Sequence, residues 1–284
     1  MANIRLIGRR IRGVQSTSKI TRAMEMIATS KMRRAQEAGL AGRPYDEKIQ
    51  QVIADLAAIQ TGEALHPLLQ RREVSKIAIV HITPDRGLCG GLNANINRRT
   101  AAFILEQSIP VSIVAVGRKG IDFMRRHARE IRAEFTRLGD RPELFDTLPI
   151  SRVVIDDYTN GLVDMVYLVY ARFVSTMTQT PVIEQILPIE PAVLPALENV
   201  DYIYEPSSVA VLGELLPRFV EMQVYHAILE SIASEQSARM VAMRNATDNA
   251  NELIEDLTLM YNKARQEAIT KELLDIAGGA EAVV

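Results

Sequence analysis

The sequence predicts an α/β protein built around a long antiparallel coiled coil. Its terminal helices are expected to pair as a left-handed rod, with a Rossmann-like α/β domain inserted between them. Three observations carry this. A heptad seam without a slip runs through the last third of the chain, helical spacing of matching period opens the chain, and short apolar runs alternate with helix-like stretches in between.

The opening segment, 1–60, is expected to be the first arm of the coil. Ile4, Ile7, Ile11 and Val14 are spaced three, four, three, and Ser18 and Thr21 continue the stripe. Ile20, Met24, Ile27 and Met32 are expected to take over on an adjacent stripe. Gly39, Gly42 and Pro44 should interrupt the helix, and Ile49, Val52, Ile53, Leu56 and Ile59 resume it until Thr61-Gly62.

Residues 75–190 read as the α/β domain. Lys76–Thr83, Val111–Val116, Asp164–Phe173 and Pro181–Leu187 are β-rich apolar runs. Leu92–Glu106, Arg118–His127 and Ser151–Gly161 read as helices between them. That alternation implies βαβ units and a largely parallel sheet. Pro188, Pro191 and Pro195 mark a loop leaving the domain.

Residues 207–284 form the second arm. Tyr225, Leu229, Ile232, Gln236, Arg239, Met243, Ala246, Ala250, Leu253, Leu257, Met260 and Ala264 step by four and three throughout. After Pro217 there is no further proline, and no glycine until Gly278, so a helix of ~65 to 70 residues, about 100 Å long, is expected. A rod of that length has to pair with something or project into something. Gln236 and Arg239 sit at seam positions, where polar groups set register, and an arginine there should meet a carboxylate or a carbonyl.

Composition narrows the function. With 33 Lys+Arg against 35 Asp+Glu, the chain is not a uniformly basic nucleic-acid binder. Aromatics are 5% with no Trp and 11 Met, which favours helix-on-helix packing over an aromatic-rich sandwich. One cysteine, Cys89, rules out an internal disulfide and any multi-thiolate metal site. No run approaches the ~20 apolar residues of a membrane span. The first 34 residues hold nine basic residues and one acid, Glu25, while residues 252–284 hold seven acids and three bases. The ends are complementary, so the basic start is expected to belong to the mature rod rather than to a transit peptide.

Few motifs suggest catalysis. Arg86, Gly87, Gly90 and Gly91 lie in a strand-to-helix turn, R-G-L-C-G-G, but no Lys-Ser/Thr follows Gly91, so a structural turn is expected and not a phosphate loop. Gly117-Arg118-Lys119-Gly120 lacks a full dinucleotide fingerprint. Cys89 should be a small buried residue, and Asp156-Asp157 a solvated helix face. His66, His81, His127 and His226 are scattered, and no nucleophile–base pair stands out. No catalytic residue, cofactor or metal is expected.

Four blocks resemble the gamma subunit of F-type ATP synthases: Lys19–Arg33, Asp85–Asn93, Ser234–Ala250 and Tyr261–Ala280. The last contains Ile269, Thr270, Glu272, Asp275, Gly279 and Ala280 in the I-T-x-E-x-x-D-x-x-x-G-A pattern. The resemblance runs from Ile4 to Ala280, in order, and its form is bacterial. It implies a non-catalytic central-stalk rotor that carries rotation of the proton-driven c ring to the beta subunits, where ATP is made. It also implies a place on the cytoplasmic face of the cell membrane, with alpha, beta, epsilon and c subunits as partners and no nucleic acid. By resemblance, Arg239, Gln266, Thr270, Glu272 and Met24 meet the hexamer, with Lys31, Arg33 and Arg34 facing acidic loops of beta. Tyr202 and Glu205 would meet epsilon and the c ring. The apolar C-terminal tip, Ala277–Val284, would turn in an apolar sleeve. The readings that compete are an α/β nucleotide-binding enzyme and a coiled-coil adaptor or basic-arm nucleic-acid binder. A phosphate motif would favour the first, and strongly salt-dependent DNA affinity the second.

Overall fold

The computed structural model describes residues 4–59, 66–127, 129–190, 205 and 207–281. Helix α1 spans Ile4–Ile59 and α5 spans Ser208–Glu281. Between them lie β1 (Ile77–Ile82), α2 (Leu92–Glu106), β2 (Val111–Val116), α3 (Arg118–Arg126), β3 (Ile131–Phe135), α4 (Leu144–Thr159), β4 (Met165–Phe173) and β5 (Gln179–Leu187). Contacts divide the chain into two units. One joins Met1–Ala28 to Met240–Val284, and the other is Thr29–Arg239.

In the larger unit the sheet order is β3-β2-β1-β4-β5. β1 pairs in parallel with β2 and β4, β2 with β3, and β5 returns antiparallel to β4. The strands are apolar on both faces because both faces are covered. Ala78, Val80, Ile82, Val166 and Leu168 pack with Ile150, Val154 and Tyr158 of α4, and the same cluster takes in Ile49, Ile53, Leu56, Leu212, Leu216 and Val220 of the terminal helices. Ile77, Ile79, Ile113 and Val169 face Ile104 of α2 and Ile121 and Met124 of α3.

Four departures from expectation stand here. α1 runs through Gly39, Gly42 and Pro44 without a break. Pro44 and Leu40, whose carbonyl loses its partner to the proline, lie on the exposed face. Gly42 has a packing reason, since a Cβ there would sit 2.4 Å from the His226 ring. β3 was not foreseen; it is a short edge strand. α4 begins at Leu144, ahead of the expected Ser151, because Glu143 and Asp146 form a reciprocal capping box. Asp157 is buried, not solvated, and takes a two-pronged contact from Arg132 at 3.0 and 3.0 Å.

His81 is fully buried between Asn97 and Thr100 of α2, with ring nitrogens 2.9 and 3.0 Å from their oxygens. Burial lowers its pKa from the ordinary 6.5 to about 4, although the Asn97 bond opposes the shift. The unfolded chain therefore binds a proton that the folded chain refuses. Stability from this group is full above pH ~6.5 and falls as the pH drops towards 4, by roughly 3 kcal/mol in all. Denaturant titrations from pH 7 to pH 4 should show this slope, and His81→Asn should flatten it.

Candidate functional site

The smaller unit pairs the ends of α1 and α5 antiparallel. Tyr261 lies 3.6 Å from the position a Gly8 Cβ would take, Ser18 donates to Asn251 at 2.8 Å, and Thr21 meets Thr247 at 2.7 Å. Arg244 donates to Glu25 at 2.9 Å. Each advance along α1 is matched by a nearly equal retreat along α5, which is the signature of one fixed register.

The seam departs from the predicted one. Met243, Ala250 and Leu257 are buried as expected, but the alternate positions are Thr247, Ile254 and Tyr261 instead of Ala246, Leu253 and Met260. Leu253 is 38% and Met260 60% exposed. On α1 the stripe passes through Thr21, Met24 and Ala28, while Ile20 and Ile27 lie outside at 60% and 55%. Hydropathy favoured the leucine, the methionine and the isoleucines for the inside. The polar pairs decide otherwise, because one of the Thr21 and Thr247 hydroxyls donates to the other there, and the acceptor gives its single proton to the carbonyl one turn back, Ser18 O or Met243 O.

Thr247→Val should therefore cost about 1 kcal/mol by removing the Thr21–Thr247 bond and leaving the Thr21 hydroxyl only Ser18 O, while the double Val variant should be nearly neutral. A double-mutant cycle by chemical denaturation, followed by helical circular dichroism, checks this.

In the larger unit, Arg239 and the Arg86–Gly91 turn come together. Arg239 donates to Gly87 O at 3.1 Å and pairs with Glu235 at 2.7 Å, with 11% and 15% of the two side chains exposed. The buried seam arginine thus meets a carboxylate and a carbonyl, and both belong to this chain. Beneath them Cys89 is 1% exposed. Burial raises its thiol pKa against the pull of Arg239, so it is not a reactive thiolate. Leu88 and Gly90 take left-handed conformations, φ 63 and 57, which turn the chain from β1 into α2. Glu235 is pushed up by burial; Arg239 pulls it down, and Asp140 and Asp85 push it further up. Glu235 also lines a small cavity of about 50 Å³ at the ends of β1, β2 and β3, with Thr83, Asp85 and Gly117. Asp85 is fixed by the backbone N–H groups of Arg118 and Arg137, both at 2.9 Å.

The other expected contact residues are spread along the helices. Lys31 pairs with Asp140 at 2.6 Å, and Arg33 with Glu37 at 3.1 Å. Arg34 folds back on Ser30. Gln266, Thr270 and Glu272 are exposed on α5, Met24 is half-buried, and Glu205 is exposed. Tyr202 and the side chains of the C-terminal tip from Gly278 lie outside the described residues. Sequence reading missed Glu235, Ser234 and Ser237. Their signal was present as polar residues one and two positions off a heptad seam, where a helix turns its flank to a neighbouring sheet. Among the described residues no cluster of His, Cys, Asp and Glu could hold a metal, and no helix is long and apolar enough to cross a membrane.

The chain thus combines a two-helix antiparallel coil in one unit with a five-stranded sheet domain in the other. The family described as ATP synthase matches residues 3–283. An ATP synthase gamma chain of Dehalococcoides mccartyi is 69% identical over 284 residues, covering 100% of both chains. One from a Roseiflexus species is 53% identical over 287 residues, covering 100% of this chain and 99% of its own. A chain in a Euglena gracilis mitochondrial ATP synthase structure shares the fold with TM-score 0.68 at 22% identity, covering 99% of this chain and 94% of that one. A chain of the Tetrahymena thermophila mitochondrial ATP synthase central stalk and c ring gives 0.64 at 23% identity, covering 80% and 99%. The chain belongs to the ATP synthase gamma-chain family.

Proposed function

We infer that this chain is the central-stalk rotor of a bacterial F-type ATP synthase. It links rotation of the c ring to the catalytic head and makes no ATP itself. It works with alpha, beta, epsilon and c subunits, peripheral to the inner membrane on the cytoplasmic side. The observation that supports this most is membership of the gamma-chain family over the full length, together with the single-register antiparallel coil that a shaft requires.

The physical logic follows from the coil. One helix would twist under load, whereas two that interlock side chains share it. A two-helix rod has no three-fold symmetry, so it presents a different face to each of three catalytic subunits. Contacts that must break on every step should be weak, and exposed ion pairs worth about 0–1 kcal/mol suit that. On this reading Lys31, Arg33 and Arg34 face acidic loops of beta, and Met24, Gln266, Thr270 and Glu272 lie along the hexamer. Tyr202 and Glu205 meet epsilon and the c ring. Arg239 acts on the hexamer through the Arg86–Gly91 turn that it holds. Coupling is reciprocal, since rod angle biases nucleotide affinity and nucleotide binding biases rod angle.

Reconstitution tests the inference. Adding the chain to purified alpha and beta subunits should produce rotary ATP hydrolysis, seen as stepwise turning of a probe on the α/β domain. An assembled complex that hydrolyses ATP with the probe stationary would overturn it.

A further inference from the structure

We propose that load passes between the α/β domain and the shaft through α5, at a grip spanning Tyr225 to Arg239, and that α1 follows as the passive strand of the pair. The proposal rests on the rotor reading and names the residues that would carry its torque.

The grip is made of side-chain bonds from one helix into the backbone of four separate segments. Tyr225 donates to Pro142 O ahead of α4 at 3.4 Å. Ser234 donates to Ala171 O in β4 at 2.9 Å. Ser237 donates to Thr176 O in the β4–β5 turn at 2.7 Å and accepts from Gln179 at 3.3 Å. Arg239 donates to Gly87 O in the turn after β1 at 3.1 Å. Ser234 and Ser237 are both fully buried. Ser231 and Ala233 on this stretch are buried, and Ala238 packs against Cys89, Leu92, Ile96 and Ala171.

The direction of these bonds matters. Apolar packing is non-directional and tolerates a helix that rolls or slides by a fraction of a turn. A buried hydroxyl bonded to a main-chain carbonyl does not, because small displacements break it and leave both groups dry and unpaired. Glu235 holds the Arg239 guanidinium from the same helix, which makes it a positioning residue for the last tie. α1 is held differently. Ile49, Ile53 and Leu56 lie in the apolar core, and its ion pair to the domain, Lys31–Asp140, has a half-exposed carboxylate that salt screens. Among the described residues, a helix held by apolar contacts and a half-exposed ion pair yields sooner than one bonded into four segments.

The test is torsional stiffness in the assembled complex, read from the angular fluctuations of a bead on the α/β domain with the alpha/beta hexamer fixed to glass. Ser234→Ala with Ser237→Ala removes two of the four ties and should lower stiffness by about half if the ties add. Asp140→Ala, which removes the ion pair of α1 from the domain side, should leave it unchanged. Ser237→Thr, which keeps the hydroxyl, should hold close to the unmodified value. Val154→Ala weakens the core away from the grip, and should lower the melting temperature without softening the shaft. Equal stiffness in the serine variant and the unmodified complex, or equal softening in Asp140→Ala or Val154→Ala, would overturn the grip. An unmodified complex that fails to turn would instead sink the rotor reading itself.

Discussion

Arg239→Met is expected to destabilise the α/β unit by about 3 kcal/mol near neutral pH, the cost of breaking a buried ion pair and leaving one partner behind. The methionine fills much of the volume but leaves Glu235 with no cation and Gly87 O with no donor. Glu235 already binds its proton more tightly than an ordinary carboxylate because burial penalises the charge, and losing Arg239 tightens it further. The sign follows. A carboxyl whose folded pKa lies above its unfolded one stabilises the fold while protonated, and that contribution is lost as pH rises through the folded pKa. The variant should therefore lose most above the ordinary carboxylate range and least in acid. Denaturant midpoints across that range check the slope, and Glu235→Gln combined with Arg239→Met should recover part of the loss.

Gly117→Ala should be at least as costly, about 3 kcal/mol or more. Gly117 joins β2 to α3 at φ 90, and an added Cβ would lie 1.7 Å from the Thr83 carbonyl oxygen. The obstacle is backbone, so no rotamer change relieves it, and the N–H bond from Gly117 to Phe135 O at 2.8 Å ties the same point to β3. Loss of cooperative unfolding, or a melting point lowered well beyond that of Gly13→Ala on the open face of α1, is the expected result.

The parts of the fold that were legible in the sequence share one property: a long periodic signal or an unbroken apolar run. Both terminal helices, the four longer strands and α2 announce themselves this way. β3 does not, because five alternating residues at a sheet edge look like loop. The start of α4 at Leu144 was not legible either, although Glu143 and Asp146 form a cap six and three residues ahead of Pro149. Proline and glycine in α1 were weighed as local propensities, and long-range packing overrode them at Gly42.

The candidate site was half legible. The seam arginine and its need for a carboxylate and a carbonyl could be anticipated. Which ones could not, since Glu235 is a neighbour on the same helix and Gly87 lies 152 positions away in sequence. The phase of the seam failed for a related reason. Ranking residues by hydropathy puts Leu253 inward and Thr247 outward, but a threonine with a threonine to bond is better inside than a leucine is.

That reversal leaves its mark on the outer face of α5. Leu259, Met260, Leu273, Leu274 and Ile276 are all 60% exposed or more. Water penalises such a surface, and two stray copies could hide it only against each other. A cell making this polypeptide thus faces an order-of-construction problem, with the greased spindle needing its housing soon after synthesis. Overproduced alone, it is expected to clump, because these side chains then face water.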